Sequence, residues 1–275
     1  MKGILSIIFT LGSLLVFSQN KETETILSEG KLLYRLERAS WYGTDDILGR
    51  FKSKKDSIGG YLSYETSDNN INTIFFSKYN ANNILVRYQF DSLPKQNPIK
   101  IDTINKNVTE IERNLIGIRQ NARDIVYKNS DKYFNFHENT SLNFIPLIVN
   151  GKKQVFVLTG PQVGGIVLLG RDYLLKYDNK YMFKSKEKLH NSIIQFSYKS
   201  DNKDNSVVST MHSHVLTDYI TSTDICTLLL YKDYVEWKQH IVISKKQVSI
   251  FDLDKETLFT MKRKAWEKIY NTQKE

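Results

Sequence analysis

The chain has 275 residues, 40% of them hydrophobic and 12% aromatic, enough to bury a sizeable core in one large domain or two small ones. With only 4 prolines and 13 glycines it is not a low-complexity or disordered chain. The net charge of +9 is spread over small basic clusters interleaved with acids, the pattern of a solvated surface, which argues against specific nucleic-acid binding.

Met1-Lys2 gives a short basic start, Ile4 to Phe17 is almost wholly apolar, and Ser18-Gln19-Asn20 opens the polar chain. That is the pattern of a secretory signal peptide over residues 1–18, with cleavage expected near Ser18 or Gln19, and its apolar run is too short to span a bilayer. Its removal takes away Lys2 alone and leaves +8. No cysteine stands at the junction to carry a lipid, and no later run is apolar enough to cross a membrane. The expectation is a soluble protein exported to the periplasm or beyond.

Residues 19–105 read as a β-rich N-terminal region. Lys21 to Ser28 is a polar, exposed lead-in, and Leu32 to Leu36 with Trp41-Tyr42 begins the ordered part. Gly60 to Tyr64, Ile71 to Ser77 and Ile84 to Asp91 are strand-like, separated by turns at Ser67–Asn70 and Asn80–Asn83 that suggest an antiparallel meander. Ile99 to Ile104 adds a last strand after Pro94 and Pro98. A second domain over 106–275 opens with a helix, whose inner face is Val108, Ile111, Leu115, Ile118, Ala122 and Ile125. Either Thr109 with Glu112 or Asn107 with Glu110 caps it.

Strands follow at Asn143–Val149, Gln154–Leu158, Gly165–Leu169 and Tyr173–Tyr177, the first two joined by an Asn150-Gly151 hairpin turn. Gly160 to Gly165 lacks the lysine of a phosphate loop and reads as a turn. Ser192 to Tyr198 looks like strand, and Lys199 to Asn205 like a charged loop. Val207 to His214 is a strand and Thr221 to about Tyr231 a helix. Gln239–Ser244 and Gln247–Asp252 form a hairpin, and Asp254 caps a closing helix with Leu258, Met261, Ala265, Trp266 and Ile269 on its inner face. The single cysteine, Cys226, excludes an intrachain disulfide; between Ile225 and Leu228–Leu230 it reads as a small buried apolar residue. The fold class expected is α+β, with a mixed or antiparallel sheet, flanking helices and a preceding β meander.

The chemistry-bearing stretch is Ser209 to Asp224. Side chains alternate faces along a strand, so His212 and His214 project to one side. Asp224 arrives from the first turn of the next helix. Two neutral imidazoles and one carboxylate suit Zn2+ and leave a fourth position for water. Thr221 to Asp224 is equally a good helix start, with Thr221 as cap and a carboxylate three residues on. His137, His190 and His240 are isolated from the pair in sequence, and surface or core roles are expected for them.

His212-Ser213-His214 followed by Thr221-Ser222-Thr223-Asp224 resembles the His-x-His…Ser-x-x-Asp signature of the JAMM (MPN+) metalloprotease fold. The likeness runs from about Asn107 to Asp252. It implies a cytidine-deaminase-like architecture with zinc on His212, His214 and Asp224, and with Thr221 or Ser222 steadying an oxyanion. Its implied activity is hydrolysis of amide or isopeptide bonds in a peptide or protein. Three departures stand out. Val215 replaces the usual proline, and the loop to the hydroxyl position is about one residue short. Gln162, leading into Gly165–Gly170, occupies the place of the catalytic glutamate. An amide can hold a water but cannot take its proton. A catalytically inactive binding protein of the cell envelope, using the same groove, is therefore the alternative. Asp172 and Asp218 are the nearest other acids.

Overall fold

A computed structural model describes residues 2–198 and 208–272, with side chains from 21 onward apart from residues 270 and 272. The expected loop at Lys199–Asn205 lies outside the described residues. The fold is α+β: four α-helices among the described residues and four sheets, antiparallel except for one parallel pair. The chain divides into two compact units, residues 32–201 and residues 1–31 with 202–275.

The first element, α1 (Lys2–Arg50), is one continuous helix, so the expected exposed lead-in at Lys21–Ser28 is helical instead. Its buried stripe runs Gly30, Leu33, Leu36 and Glu37, Ser40, Gly43 and Ile47. The spacing is helical, but two glycines, a serine and a glutamate interrupt the apolar signal that marks such a stripe in sequence.

In the unit of residues 32–201, β1 (Ile58–Glu65), β2 (Ile71–Ser77), β3 (Ile84–Phe90) and β4 (Lys100–Asp102) form the expected antiparallel meander in sequential order. The central strand β2 is almost wholly buried because helices cover both faces. On one face Ser40 of α1 meets Ser63 at 2.8 Å, which meets Thr73 at 2.7 Å, and a Cβ at Gly43 would come within 3.2 Å of the Phe75 ring. On the other, Leu62, Ile74 and Phe76 join Leu115, Ile118 and Ala122 of α2 (Glu110–Lys128). The same core takes in Phe144, Val155, Val157, Tyr173 and Leu175, so residues on both sides of position 105 share it.

Of the two caps open for α2, Thr109 with Glu112 is the one formed. Buried Glu112 also takes a two-point salt bridge from Arg87 at 2.8 Å. The antiparallel sheet beyond runs β5 (Thr140–Val149), β6 (Lys152–Pro161), β8 (Tyr173–Tyr177) and β9 (Phe183–Lys188). Asn150 and Gly151 both take positive φ in the two-residue turn between β5 and β6, as an Asn-Gly hairpin requires. Strands β7 (Ile166–Gly170) and β10 (Ile193–Ser197) pair separately. No sequence signal marks the lysine-rich, half-exposed β9.

In the other unit, β11 (Ser209–Ser213) pairs in parallel with β12 (Gln239–Ile243), the crossover being α3 (Ser222–Tyr231). The hairpin of β12 with β13 (Gln247–Asp252) is as expected, but β13 then pairs with β14 (Thr257–Lys262). The closing helix, expected from Asp254, therefore begins only at Arg263 as α4 (Arg263–Thr272). Leu258, Phe259 and Thr260 are strand-forming residues, and the turn at Glu256 (φ 53°) brings them back onto β13. Cys226 is fully buried in α3, as its apolar flanks imply. No helix among the described residues is long and apolar enough to cross a membrane.

Glu37 of α1 generates a pH prediction. Burial pushes its carboxyl up from 4.5 to about 7, with Arg119 pulling the other way. The fold thus favours the protonated form. Stability from this group is fully present below pH 4.5 and is lost as pH rises through about 7. The loss over that interval is up to about 3 kcal/mol. Glu37→Gln removes this slope and leaves an offset that does not vary with pH. Denaturant unfolding of both proteins between about pH 5 and about pH 8 reads the difference, and parallel stability curves would refute it.

Candidate metal centre

Strand β11 alternates exposed and buried residues, with Thr210, His212 and, just past its end, His214 on the buried side. This is the arrangement the His-x-His spacing predicts. The parallel ladder continues one step beyond β11, His214 donating its backbone N–H to Ile243 O at 2.9 Å. Loop 215–220 is anchored to the β12–β13 turn, where Ser244 Oγ donates to Asp218 O at 2.7 Å and Lys246 pairs with Asp218 at 2.9 Å.

The loop delivers the chain to α3, whose first turn carries Asp224. Thr221 is the N-cap: its hydroxyl accepts from Asp224 N–H at 3.2 Å, and the Asp224 carboxylate accepts from Thr221 N–H at 2.9 Å. The Thr221 hydroxyl also donates to Asp224 Oδ2 at 2.7 Å. These bonds fix the carboxylate, which is wholly buried, towards the two histidines. Asp224 Oδ2 lies 3.3 Å from His214 Nε2, and Oδ1 lies 3.9 Å from His212 Nε2.

His212 Nε2 and His214 Nε2 are 2.7 Å apart. One nitrogen of that contact must offer a lone pair, and the surroundings say which. His214 Nδ1 lies 2.9 Å from Tyr219 O, which can only accept, so Nδ1 carries the proton. Thr217 Oγ1 gives its own proton to Tyr219 O at 2.8 Å and so also accepts from His214 Nδ1 at 2.7 Å. In neutral His214 the lone pair is then on Nε2, facing His212 and Asp224. A backbone carbonyl that fixes the tautomer in this way is the usual support of a ligating imidazole.

The ligand atoms of His212, His214 and Asp224 all lie within 4.8 Å of one another, and this group could hold a metal ion. Tetrahedral ligands about 2.0–2.1 Å from zinc stand roughly 3.3 Å from each other. The His214–Asp224 separation matches, the two histidine nitrogens need to open by about half an ångström, and His212 Nε2, 3.9 Å from Asp224 Oδ1, needs to approach the carboxylate by about as much.

His240, read from sequence as isolated, belongs to this site. The register sets His240 beside Thr210, so it points to the same face as His212. Its Nε2 lies 2.8 Å from His212 Nδ1 and its Nδ1 2.7 Å from Thr210 Oγ1. Burial, then the neighbouring His212, pushes its pKa down to about 3, so the ring is neutral. The sequence signal that could have found it is the crossover: a parallel partner strand sets its first residues beside those preceding the histidines.

Among the other predicted site residues, Ser222 turns its hydroxyl to Glu29 of α1 at 2.7 Å, a partner no sequence spacing suggests. Gln162 is exposed in the turn after β6, in the unit of residues 32–201, its backbone N–H bonded to Asn139 O. Asp172 is buried in that unit, 3.5 Å from His190. Comparison with protein-family models, curated proteins and solved structures finds no match to this chain. What the fold and site define is an α+β protein with a buried histidine–aspartate cluster able to take a metal ion.

The cap is testable by itself. Thr221→Ala is expected to cost about 1–2 kcal/mol, because it removes the hydroxyl that satisfies α3 and restrains Asp224. Thr221→Ser, which keeps that hydroxyl, should recover most of it. Equal melting behaviour for the alanine and serine variants would show that the cap carries little stability.

Proposed function

We propose that this is an exported zinc-binding protein whose His212, His214 and Asp224 form a JAMM-like site. The observation that carries the reading is the contact of His214 Nδ1 with Tyr219 O at 2.9 Å, which leaves Nε2 as the nitrogen turned towards a second imidazole and a buried carboxylate. When bound, zinc supplies Lewis acidity that polarises an amide or isopeptide carbonyl. The chain's own residues hold it: Tyr219 O orients His214, His240 backs His212, and Thr221 restrains Asp224. A cleft of about 410 Å³ along β11, lined by Met211, His214, Val215, Lys245 and Arg263 among others, offers an extended peptide apolar contacts and two cations. This supports a peptide or protein as substrate or ligand.

Hydrolysis also needs a base, and the second reading, an envelope binding protein without activity, is favoured by the sequence likeness that sets Gln162 in the base position and by one observation. Gln162 cannot accept a proton. The hydroxyls proposed to steady an oxyanion are both engaged, Thr221 with Asp224 and Ser222 with Glu29.

Metal analysis of the freshly purified chain tests the first reading. At most one zinc per chain is expected, lost in His212→Ala, and zinc at about a hundred times its Kd should stabilise the wild type by about 2.7 kcal/mol. No bound metal and no stabilisation would remove it. Gln162→Glu separates the two readings: new peptidase activity points to a hydrolytic site lacking only its base, whereas continued inactivity with zinc bound points to the binding protein.

A further inference from the structure

We propose that Thr210, His240 and His212 form a hydrogen-bond relay that positions the metal site and exchanges one pattern of imidazole tautomers for another when the metal enters. This rests on the reading of His212, His214 and Asp224 as metal ligands. It goes beyond it in giving roles to two residues that touch no metal.

The relay follows from donor and acceptor roles along one line of contacts. Thr210 Oγ1, His240 Nδ1, His240 Nε2, His212 Nδ1, His212 Nε2 and His214 Nε2 are joined through successive gaps of 2.7, 2.8 and 2.7 Å. One end is fixed, since His214 keeps its proton on Nδ1 against Tyr219 O and its Nε2 can only accept. Without metal, His212 therefore donates from Nε2 to His214. Its Nδ1 is then an acceptor, His240 must donate from Nε2, and His240 Nδ1 accepts from the Thr210 hydroxyl. Every contact is satisfied, in one direction only.

A metal on His212 Nε2 reverses that direction. The nitrogen must give up its proton to ligate. Neutral His212 then carries its proton on Nδ1 and donates to His240 Nε2. His240 carries its proton on Nδ1 and donates to Thr210 Oγ1, which can accept because a hydroxyl serves either role. Both imidazoles hold one proton in each state. The proton leaving His212 Nε2 is balanced by one entering at the Thr210 end, the exchange passing through solvent. Neither imidazole changes its own charge: the His212–His214 hydrogen bond is the one given up to the metal, and the two contacts behind His212 are kept with their direction reversed. A leucine or phenylalanine at 240 would satisfy only the packing. A lysine or carboxylate there would bring a charge. Imidazole is the side chain that presents a donor and an acceptor and can exchange them.

The test uses the full chain labelled with 15N in histidine, with long-range proton–nitrogen spectra recorded before and after one equivalent of zinc. The expected result is that His212 and His240 both pass from Nε2–H to Nδ1–H while His214 stays Nδ1–H. Unchanged tautomers at His212 and His240 in a chain that has taken up zinc would overturn the relay. Competition with a chelator gives a second readout. His240→Leu should weaken zinc binding by about 10–100-fold, the usual cost of losing a partner behind a metal ligand. His240→Gln, whose amide oxygen can accept from His212 Nδ1–H, should recover most of that loss. Equal affinity in wild type and His240→Leu, with zinc still lost in His212→Ala, would sink the relay and leave the metal site standing. A wild-type chain that binds no zinc would sink both. Should His240→Leu fail to fold, Thr210→Val leaves His240 in place and removes the acceptor at the end of the line. Zinc-loaded Thr210→Val should still carry its His240 proton on Nδ1, because His212 Nδ1–H faces His240 Nε2, and a His240 held in the Nε2–H form with zinc bound would count against the relay.

Discussion

The Asp224 carboxylate is the constraint on which the site depends. It is wholly buried, and a buried carboxylate is costly unless hydrogen bonds and partners of opposite polarity surround it. Here the cap of α3 supplies them: the Thr221 N–H and hydroxyl both reach Oδ2, at the positive end of the helix. The cap reading and the ligand reading of this residue, alternatives in sequence, are the same geometry. Capping orients the carboxylate and restrains its rotation, and its remaining lone-pair directions are turned to His212 and His214. The helix start is thus part of the site.

The strand contributes through alternation and register. A shift of one residue in β11 would move both histidines to the exposed face, so burial of Thr210 and His212 specifies their placement. The parallel pairing then adds His240, which no spacing within β11 could supply. Fixing His214 falls to the loop, through the Tyr219 carbonyl and the Thr217 hydroxyl. Strand, loop, helix and partner strand each provide one element of orientation, which is how imidazoles on flexible side chains come to share one point.

Most of this was legible where the signal is local. The His-x-His alternation, the Thr221–Asp224 cap, the Asn150-Gly151 turn and the α2 capping box depend on residues a few positions apart, and all are present. What could not be read depends on pairs far apart in the chain. Glycines, a serine and a glutamate interrupt the stripe of α1, the glycines where it packs closely, as at Gly43 against Phe75 and Gly30 against Ile225. Its sequence therefore lacks the apolar period of an ordinary amphipathic helix. The segment of β14 reads as helix because Leu258 and Met261 are spaced three apart, whereas pairing with β13 decides their state. His240 was missed for the same reason: its role lies in a register.

That dependence on register bears on how a site of this kind can vary. The three ligand atoms need only two short local motifs, so a chain can resemble the JAMM signature over Ser209–Asp224 while diverging elsewhere. Several contacts that orient the ligands gather within residues 209–249: Thr210 and His240 behind His212, Tyr219 before His214, and Ser249 Oγ holding Ile220 N–H at 3.1 Å as the loop enters the helix. Buried polar networks in which every member is satisfied are the ones that specify a single arrangement. Here the network satisfies its imidazoles in either proton direction, so it keeps the ligand rings oriented whether or not an ion is bound, and the protein need not refold to accept one.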